Sequence, residues 1–170
     1  MLPRTLVVHP NPILRTKASP VGAIDQAVRD LVAEMIRLMG AHSGYGLAAP
    51  QAGGSVRIFV TQGVGEEDDP IVYINPQFVS IGGALAGEEE GCLSLPGIRG
   101  VVRRQPEVVL EATSLDGGTF RMTDSDLLAR CWQHEMDHLD GVLIIDRMTP
   151  IDRLVNRKRL RALEAAGEED

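Results

Sequence analysis

Apolar residues recur at spacings of three and four between residues 25 and 40: Val28, Leu31, Val32, Met35, Leu38 and Met39, with Arg29, Asp30, Glu34 and Arg37 between them. That period predicts an amphipathic helix, with Asp25 as cap and Gly40 at its stop. Further on the pattern changes to alternation. Ser55 to Gln62 sets Val56, Ile58 and Val60 two apart and predicts a strand. Ile71 to Ile74 and Phe78 to Ile81 predict two more short strands around Asn75-Pro76. Val108 to Leu115 and Thr119 to Thr123 flank Asp116-Gly117-Gly118, a hairpin signal. Helical spacing returns over residues 125 to 140, with Thr123, Asp124 or Ser125 as cap and Gly141 as stop. A last helix begins at Thr149-Pro150-Ile151-Asp152. There Thr149 can cap, Pro150 suits the first position, and Asp152 favours the positive end of the dipole. It runs over about 150–166, with Gly167 ending it.

Between these elements lie three segments without a period. Gly44-Tyr45-Gly46-Leu47-Ala48-Ala49-Pro50-Gln51-Ala52-Gly53-Gly54 reads as a loop in which backbone can approach another group closely. Glu66, Glu67, Asp68 and Asp69 read as an acidic turn. Glu88 to Gly97, punctuated by Gly91, Pro96 and Gly97, reads as an irregular or bulged extended segment. The fold class expected is α+β: short, mostly antiparallel strands around a central helix, with N-terminal and C-terminal helices.

Composition narrows the function classes. A chain of 170 residues with 44% hydrophobic and 24% charged positions fits one domain spanning 1–170, with no linker or repeat to divide it. A net charge of -7 argues against non-specific binding of DNA or RNA phosphates. No run approaches the 18 or so consecutive apolar residues of a membrane span, and Met1 to Pro12 lacks the apolar centre of a signal peptide. A cytoplasmic location is therefore expected. The two cysteines, Cys92 and Cys131, are too few for a disulfide scaffold.

Candidate chemistry concentrates in Gln133-His134-Glu135-Met136-Asp137-His138. On a helix, His134 and His138 share one face, with Cβ atoms about 5–6 Å apart, and two imidazoles there can converge on one metal ion. Glu135 stands beside the first of them, within reach of a water that the ion holds. A third ligand must come from elsewhere. Cys131 lies seven residues from His138, about 10 Å along the axis, beyond the reach of a short side chain, so apolar packing suits it better. Cys92 follows Gly91 in the irregular segment and is free of that constraint. A buried strand position is the competing reading of Cys92.

Three motifs stand in order: Gly44-Tyr45-Gly46-Leu47-Ala48-Ala49-Pro50-Gln51, Glu90-Gly91-Cys92-Leu93-Ser94, and Gln133-His134-Glu135-Met136-Asp137-His138-Leu139-Asp140-Gly141. With the opening His9-Pro10-Asn11-Pro12-Ile13-Leu14-Arg15, they resemble the signature motifs of the peptide deformylases over nearly the whole chain. The resemblance implies hydrolysis of the formyl group from the N-terminal formylmethionine of newly made polypeptides, releasing formate. It implies Cys92, His134 and His138 as ligands of one divalent metal ion, usually Fe(II), with Zn, Ni or Co as substitutes. It also assigns oxyanion donors to the Gln51 side chain and the Leu93 backbone, and strand-like substrate pairing to Gly46 and Leu93, with Gly44 allowing close approach.

Glu135 is expected to act as general base and then to pass the proton to the leaving amine. Leu127, Cys131, His134 and the backbone around Gly91 are expected to wall the methionine pocket. Arg130 stands where many relatives carry an aliphatic residue: either its methylene stem alone faces the pocket or the rim is more polar. Arg99 is expected either to contact substrate carbonyls or to be a solvated strand charge. Asp137 and Asp140 are nearby candidate acceptors for a ligand imidazole, with Asp137 open instead to a cap or salt-bridge role. On the last helix, Arg153, Arg157, Lys158, Arg159 and Arg161 form a basic cluster. The ordinary reading is a solvated face; the sharper one is docking to ribosomal RNA.

Two rivals carry discriminating features. A peptidase cutting internal peptide bonds shares His-Glu-x-x-His but takes a downstream ligand, for which Glu164 is the candidate. A structural metal module needs four protein ligands, with Cys131 as the fourth.

Overall fold

The computed structural model describes residues 4–64 and 69–167. The acidic turn at Glu66, Glu67 and Asp68 lies outside them. The chain forms α1 (Gln26–Ala41), β1 (Gly46–Ala48), β2 (Ile58–Thr61), β3 (Ile71–Gly82), β4 (Ala86–Gly91), β5 (Arg99–Arg104), β6 (Glu107–Thr113), β7 (Thr119–Asp124), α2 (Leu127–Leu139), α3 (Ile144–Arg147) and α4 (Pro150–Gly167). Five strands make one sheet in the order β1-β2-β3-β6-β7, and β4 and β5 make a second, two-stranded sheet. Every one of these pairings is antiparallel.

The period-two alternation explains how the sheet is covered on both faces. On β2, Ile58 and Val60 pack with Met35, Leu38 and Leu47 on the α1 side. Phe59, one residue out of phase, packs with Tyr73, Leu110 and Trp132 on the α2 side. All four residues of β2 are buried, so α2 and α1 close over opposite faces of the same strand. A third cluster of Leu14, Leu95, Ile98, Val102, Ile144 and Ile145 fills the space under the β4–β5 hairpin.

Asp25, Asp124 and Gly141 act as their chemistry suggests, whereas Gly40, expected at the stop, lies inside α1, which runs to Ala41 with His42 as its C-cap. Asp25 accepts a hydrogen bond from Val28 N at 3.0 Å. Asp124 accepts from Asp126 N at 3.0 Å and Ala129 N at 2.8 Å, leading into α2. Beyond α2, Gly141 has φ +74, and a Cβ there would stand 2.6 Å from the Arg15 carbonyl oxygen. Only glycine serves both needs.

The structure revises three expectations. Ile71 to Ile81 is a single long strand with register shifts, and the shift between Ile74 and Gln77 spans the turn-like Asn75-Pro76. Asn75 takes φ 49, and its side-chain amide is fixed by hydrogen bonds to both Val21 N and Val21 O. The glycine stretch after α1 contains β1 and a 3-10 turn at Ala49–Ala52, because Leu47, Ala48 and Ala49 are buried and need their backbone paired. Ala86 to Gly91 is a regular strand rather than an irregular segment; the irregularity begins at Cys92, where Leu95 N donates to Cys92 O at 3.0 Å.

Candidate metal centre and its cleft

Two elements bring the donors together. On α2, one turn apart, His134 and His138 meet edge to face with ring centroids at 5.0 Å and Nε2 atoms at 3.2 Å. Cys92 enters from the turn after β4, with Sγ 3.3 Å from His138 Nε2. A tetrahedral ion with metal–nitrogen bonds near 2.0–2.1 Å and a metal–sulfur bond near 2.3 Å holds its donors roughly 3.3–3.6 Å apart. The observed separations fit one cation. Cys92, His134 and His138 form the metal-competent group among the described residues, so Cys131 and Glu164 stand outside it. Glu164 instead lies 3.5 Å from His9 Nε2.

The two imidazoles sit in different electrostatic surroundings. Burial opposes a charge on His134, but the adjoining Cys92 sulfur and Glu90 carboxylate raise its pKa well above the usual imidazole value. Burial holds His138 well below it. His134 Nδ1 faces Glu90 Oε2 at 3.1 Å, which leaves Nε2 for the metal side. Burial would push Glu90 up, yet hydrogen bonds from His134 and Arg104 outweigh it and hold the carboxyl far below its ordinary value. Arg104 donates to Glu90 Oε1 at 2.6 Å and Oε2 at 2.9 Å, and to Asp137 Oδ2 at 3.0 Å.

Glu90, rather than Asp137 or Asp140, is therefore the partner of the ligand imidazole. Asp140 pairs with Arg57 at 2.8 Å. Of the three carboxylates on β4, Glu90 is buried while Glu88 and Glu89 are exposed; alternation would put Glu88 on the same face, so the sequence pattern could not single Glu90 out.

Glu135 is buried, and burial raises its carboxyl from 4.5 to about 7. Its Oε2 has no hydrogen-bond partner among the described residues. A Cβ on Gly46 would stand 2.7 Å from Glu135 Oε1 and 2.7 Å from Cys131 Sγ. Glycine is what lets β1 approach the helix so closely. Gln51 is pinned through Oε1, which accepts from Ala48 N at 2.9 Å, while Nε2 lies 3.2 Å from Ser94 Oγ and 3.7 Å from Cys92 Sγ.

One cleft of about 1130 Å³ gathers these groups: Gly44, Gly46, Gln51, Cys92, Leu93, Arg99, Leu127, Arg130, Cys131, His134 and Glu135 all line it, and Tyr45, overlooked in the sequence, joins them. Leu127 is half exposed at its mouth. Arg130 turns its guanidinium away into Glu90 Oε1, Val102 O and Ala86 O, each at 2.9 Å, so its charge is met by the hairpin. Arg99 is exposed and pairs with Glu89 at 2.6 Å.

Residues 3–154 match the family described as polypeptide deformylase. The chain is 44% identical to a peptide deformylase of Acidobacterium capsulatum over 99% of each chain. It is 49% identical to one of Dictyoglomus thermophilum over 81% of this chain and 87% of the relative. Among solved structures, it is similar to a plant peptide deformylase with a TM-score of 0.92 and 39% identity, covering 99% of this chain and 93% of that one.

Proposed function

Since the chain belongs to the polypeptide deformylase family, we propose that Cys92, His134 and His138 hold the metal and that Glu135 moves the protons of its reaction. That reaction is hydrolysis of the formyl group from the N-terminal formylmethionine of new polypeptides. The observation that carries the residue assignment is the convergence of three donor atoms beside a buried carboxylate with one unpartnered oxygen, with Cys92, His134 and Glu135 lining one cleft.

When bound, a divalent cation lowers the pKa of water it holds to about 7 and polarises a carbonyl. The residues of the chain do the rest. Glu135, with its raised pKa near neutrality, takes a proton from the attacking water. In this reading the Gln51 amide and the Leu93 backbone N–H serve as donors to the formyl oxygen as it gains charge; one such donor is worth around 2.7–4 kcal/mol. The carbon–nitrogen bond breaks, Glu135 returns the proton to the amine, and formate leaves. Gly46 and Leu93 pair with the substrate backbone, which gives affinity without reading side chains, while Gly44 admits the chain. Leu127, Cys131 and the stem of Arg130 wall the methionine side chain, and Arg99 borders the emerging peptide.

Thiolate with two imidazoles suits a borderline or soft divalent ion; Fe(II) is the native ion in this reading, with Zn, Ni or Co able to replace it. We place the enzyme in the cytoplasm as one domain over residues 1–170, acting on nascent chains, with α4 as the ribosome-facing element.

Formate release from a formyl-Met peptide, with metal analysis on anaerobically purified protein, tests the assignment. Glu135→Gln is expected to retain metal and lose about 10²–10⁴-fold in kcat. Cys92→Ala is expected to lose the metal. Retained metal in Cys92→Ala, or unchanged turnover in Glu135→Gln, overturns these two roles.

A further inference from the structure

Arg147 belongs to none of the motifs and sits on α3, beyond the Gly141 turn. Its half-exposed side chain would pass for a surface charge. Its partner is not on the surface. Arg147 Nε and Nη2 donate, each at 2.6 Å, to the two oxygens of Asp137, a buried residue that lies between the two ligand histidines in sequence. Asp137 Oδ2 also accepts from Arg104 Nη1, and Arg104 grips both oxygens of Glu90, which faces His134 Nδ1.

We propose that Arg147 is a positioning residue for the metal centre, acting on His134 through Asp137, Arg104 and Glu90. The inference rests on the metal-centre reading above and adds to it a residue from outside the cleft. The reason is a competition for N–H groups. Arg104 divides its donors between two buried carboxylates. Two-pronged donation from Arg147 satisfies Asp137 and leaves two Arg104 donors for Glu90. Without Arg147, Asp137 would draw on Arg104 alone, and the grip that orients Glu90 toward His134 would loosen. Arg147 is itself held in place. Ile144 and Ile145 are buried beside it, Leu143 N donates to Asp146 Oδ2 at 2.8 Å, and Asp146 pairs with Arg15.

The test is the rate at which zinc-loaded enzyme gives up its ion to a chromophoric chelator. It is run for wild type, Arg147→Met, Arg147→Lys, Glu90→Gln and the Arg147→Met/Glu90→Gln double variant. Loss of an outer partner of a ligand typically costs about 10–100-fold in metal affinity, and Arg147 acts at one remove. Release is expected to quicken about 3–10-fold in Arg147→Met and by less in Arg147→Lys, which keeps the charge but not the fork. In the Glu90→Gln background the Arg147 effect on release should vanish, while any drop in thermal midpoint persists. Unchanged release in Arg147→Met, or equal acceleration in both backgrounds, overturns the proposal. Should Arg147→Met not fold, Arg147→Lys carries the same comparison with Glu90→Gln. A wild-type chain that takes up no zinc overturns the metal-centre reading, and this one with it, at the loading step.

Discussion

Around α2, cations are withdrawn from water. Arg104 is only 5% exposed and is shared by Glu90 and Asp137, and Arg130 is shared by Glu90 and two backbone carbonyls. Along α4, Arg157, Lys158 and Arg161 stand in water, next to the equally exposed Ile151, Leu154 and Val155. The same residue type thus does two kinds of work. Buried, each guanidinium has every partner specified, and losing one strands a carboxylate. Exposed, the charges are screened and interchangeable, so they shape encounters rather than the fold. The inner face of α4 is different again: buried Asn156 donates to Arg99 O at 2.7 Å, and Asp152 accepts from Val101 N at 3.0 Å, anchoring the helix to β5.

Removing Arg104 should test the buried side most severely. Arg104→Met leaves Glu90 and Asp137 facing the interior without their shared cation. Breaking a buried ion pair by deleting one partner costs about 3–5 kcal/mol. Denaturant unfolding at pH 7 should show a loss of that size, together with faster metal release. A loss below about 1 kcal/mol would mean that water reaches the network and that the contrast with α4 is one of degree.

The second test uses Glu135 in the metal-free protein. A carboxyl whose pKa rises from 4.5 unfolded to about 7 folded binds its proton more tightly in the folded state. Stability contributed by that proton is complete below about pH 4.5 and is lost as pH climbs through 7. The shift corresponds to something on the order of 3 kcal/mol. Glu135→Gln has no such proton to lose, so the stability gap between metal-stripped wild type and variant should move by that amount, in favour of the variant, between pH 4 and pH 8. Guanidinium titrations at both pH values measure it. A gap that stays constant would mean that Glu135 is solvated in the metal-free state.

How far the sequence foretold these regions follows the range of the interactions. The helix at 26–41 was legible from its apolar period and Asp25, and the 107–124 hairpin from Asp116-Gly117-Gly118, because both signals are local. Reach along a helix set Cys131 aside but left Cys92 open to a buried strand position, and the resemblance alone pointed to it as third donor. Glu90 was in plain view inside a motif, yet its role depends on which face of β4 turns inward, and only the pairing with β5 fixes that. Arg104 and Arg147 were illegible: each meets its carboxylates across separate elements, and nothing local distinguishes either from a solvated arginine. The division at Asn75-Pro76 failed for the opposite reason. A strong local turn signal was overridden by a strand long enough to carry a register shift.

The smallest effect is expected on α4. Replacing Arg157, Lys158 and Arg161 together by Ser removes three exposed charges and touches none of the contacts that Asp152 and Asn156 make with β5. Arg159 is left in place because it donates to Gly97 O at 2.7 Å. Unfolding free energy should change by no more than about 0.5 kcal/mol, and formate release from a short formyl-Met peptide should be unchanged, since the cleft lies elsewhere. Co-sedimentation with ribosomes at low salt should fall, because attraction to RNA phosphate scales with the number of cations presented. Sedimentation equal to wild type would leave these charges as a solvated face and nothing more. A loss of peptide activity would show that the two regions are coupled, and the separation between buried and exposed arginines would have to be redrawn.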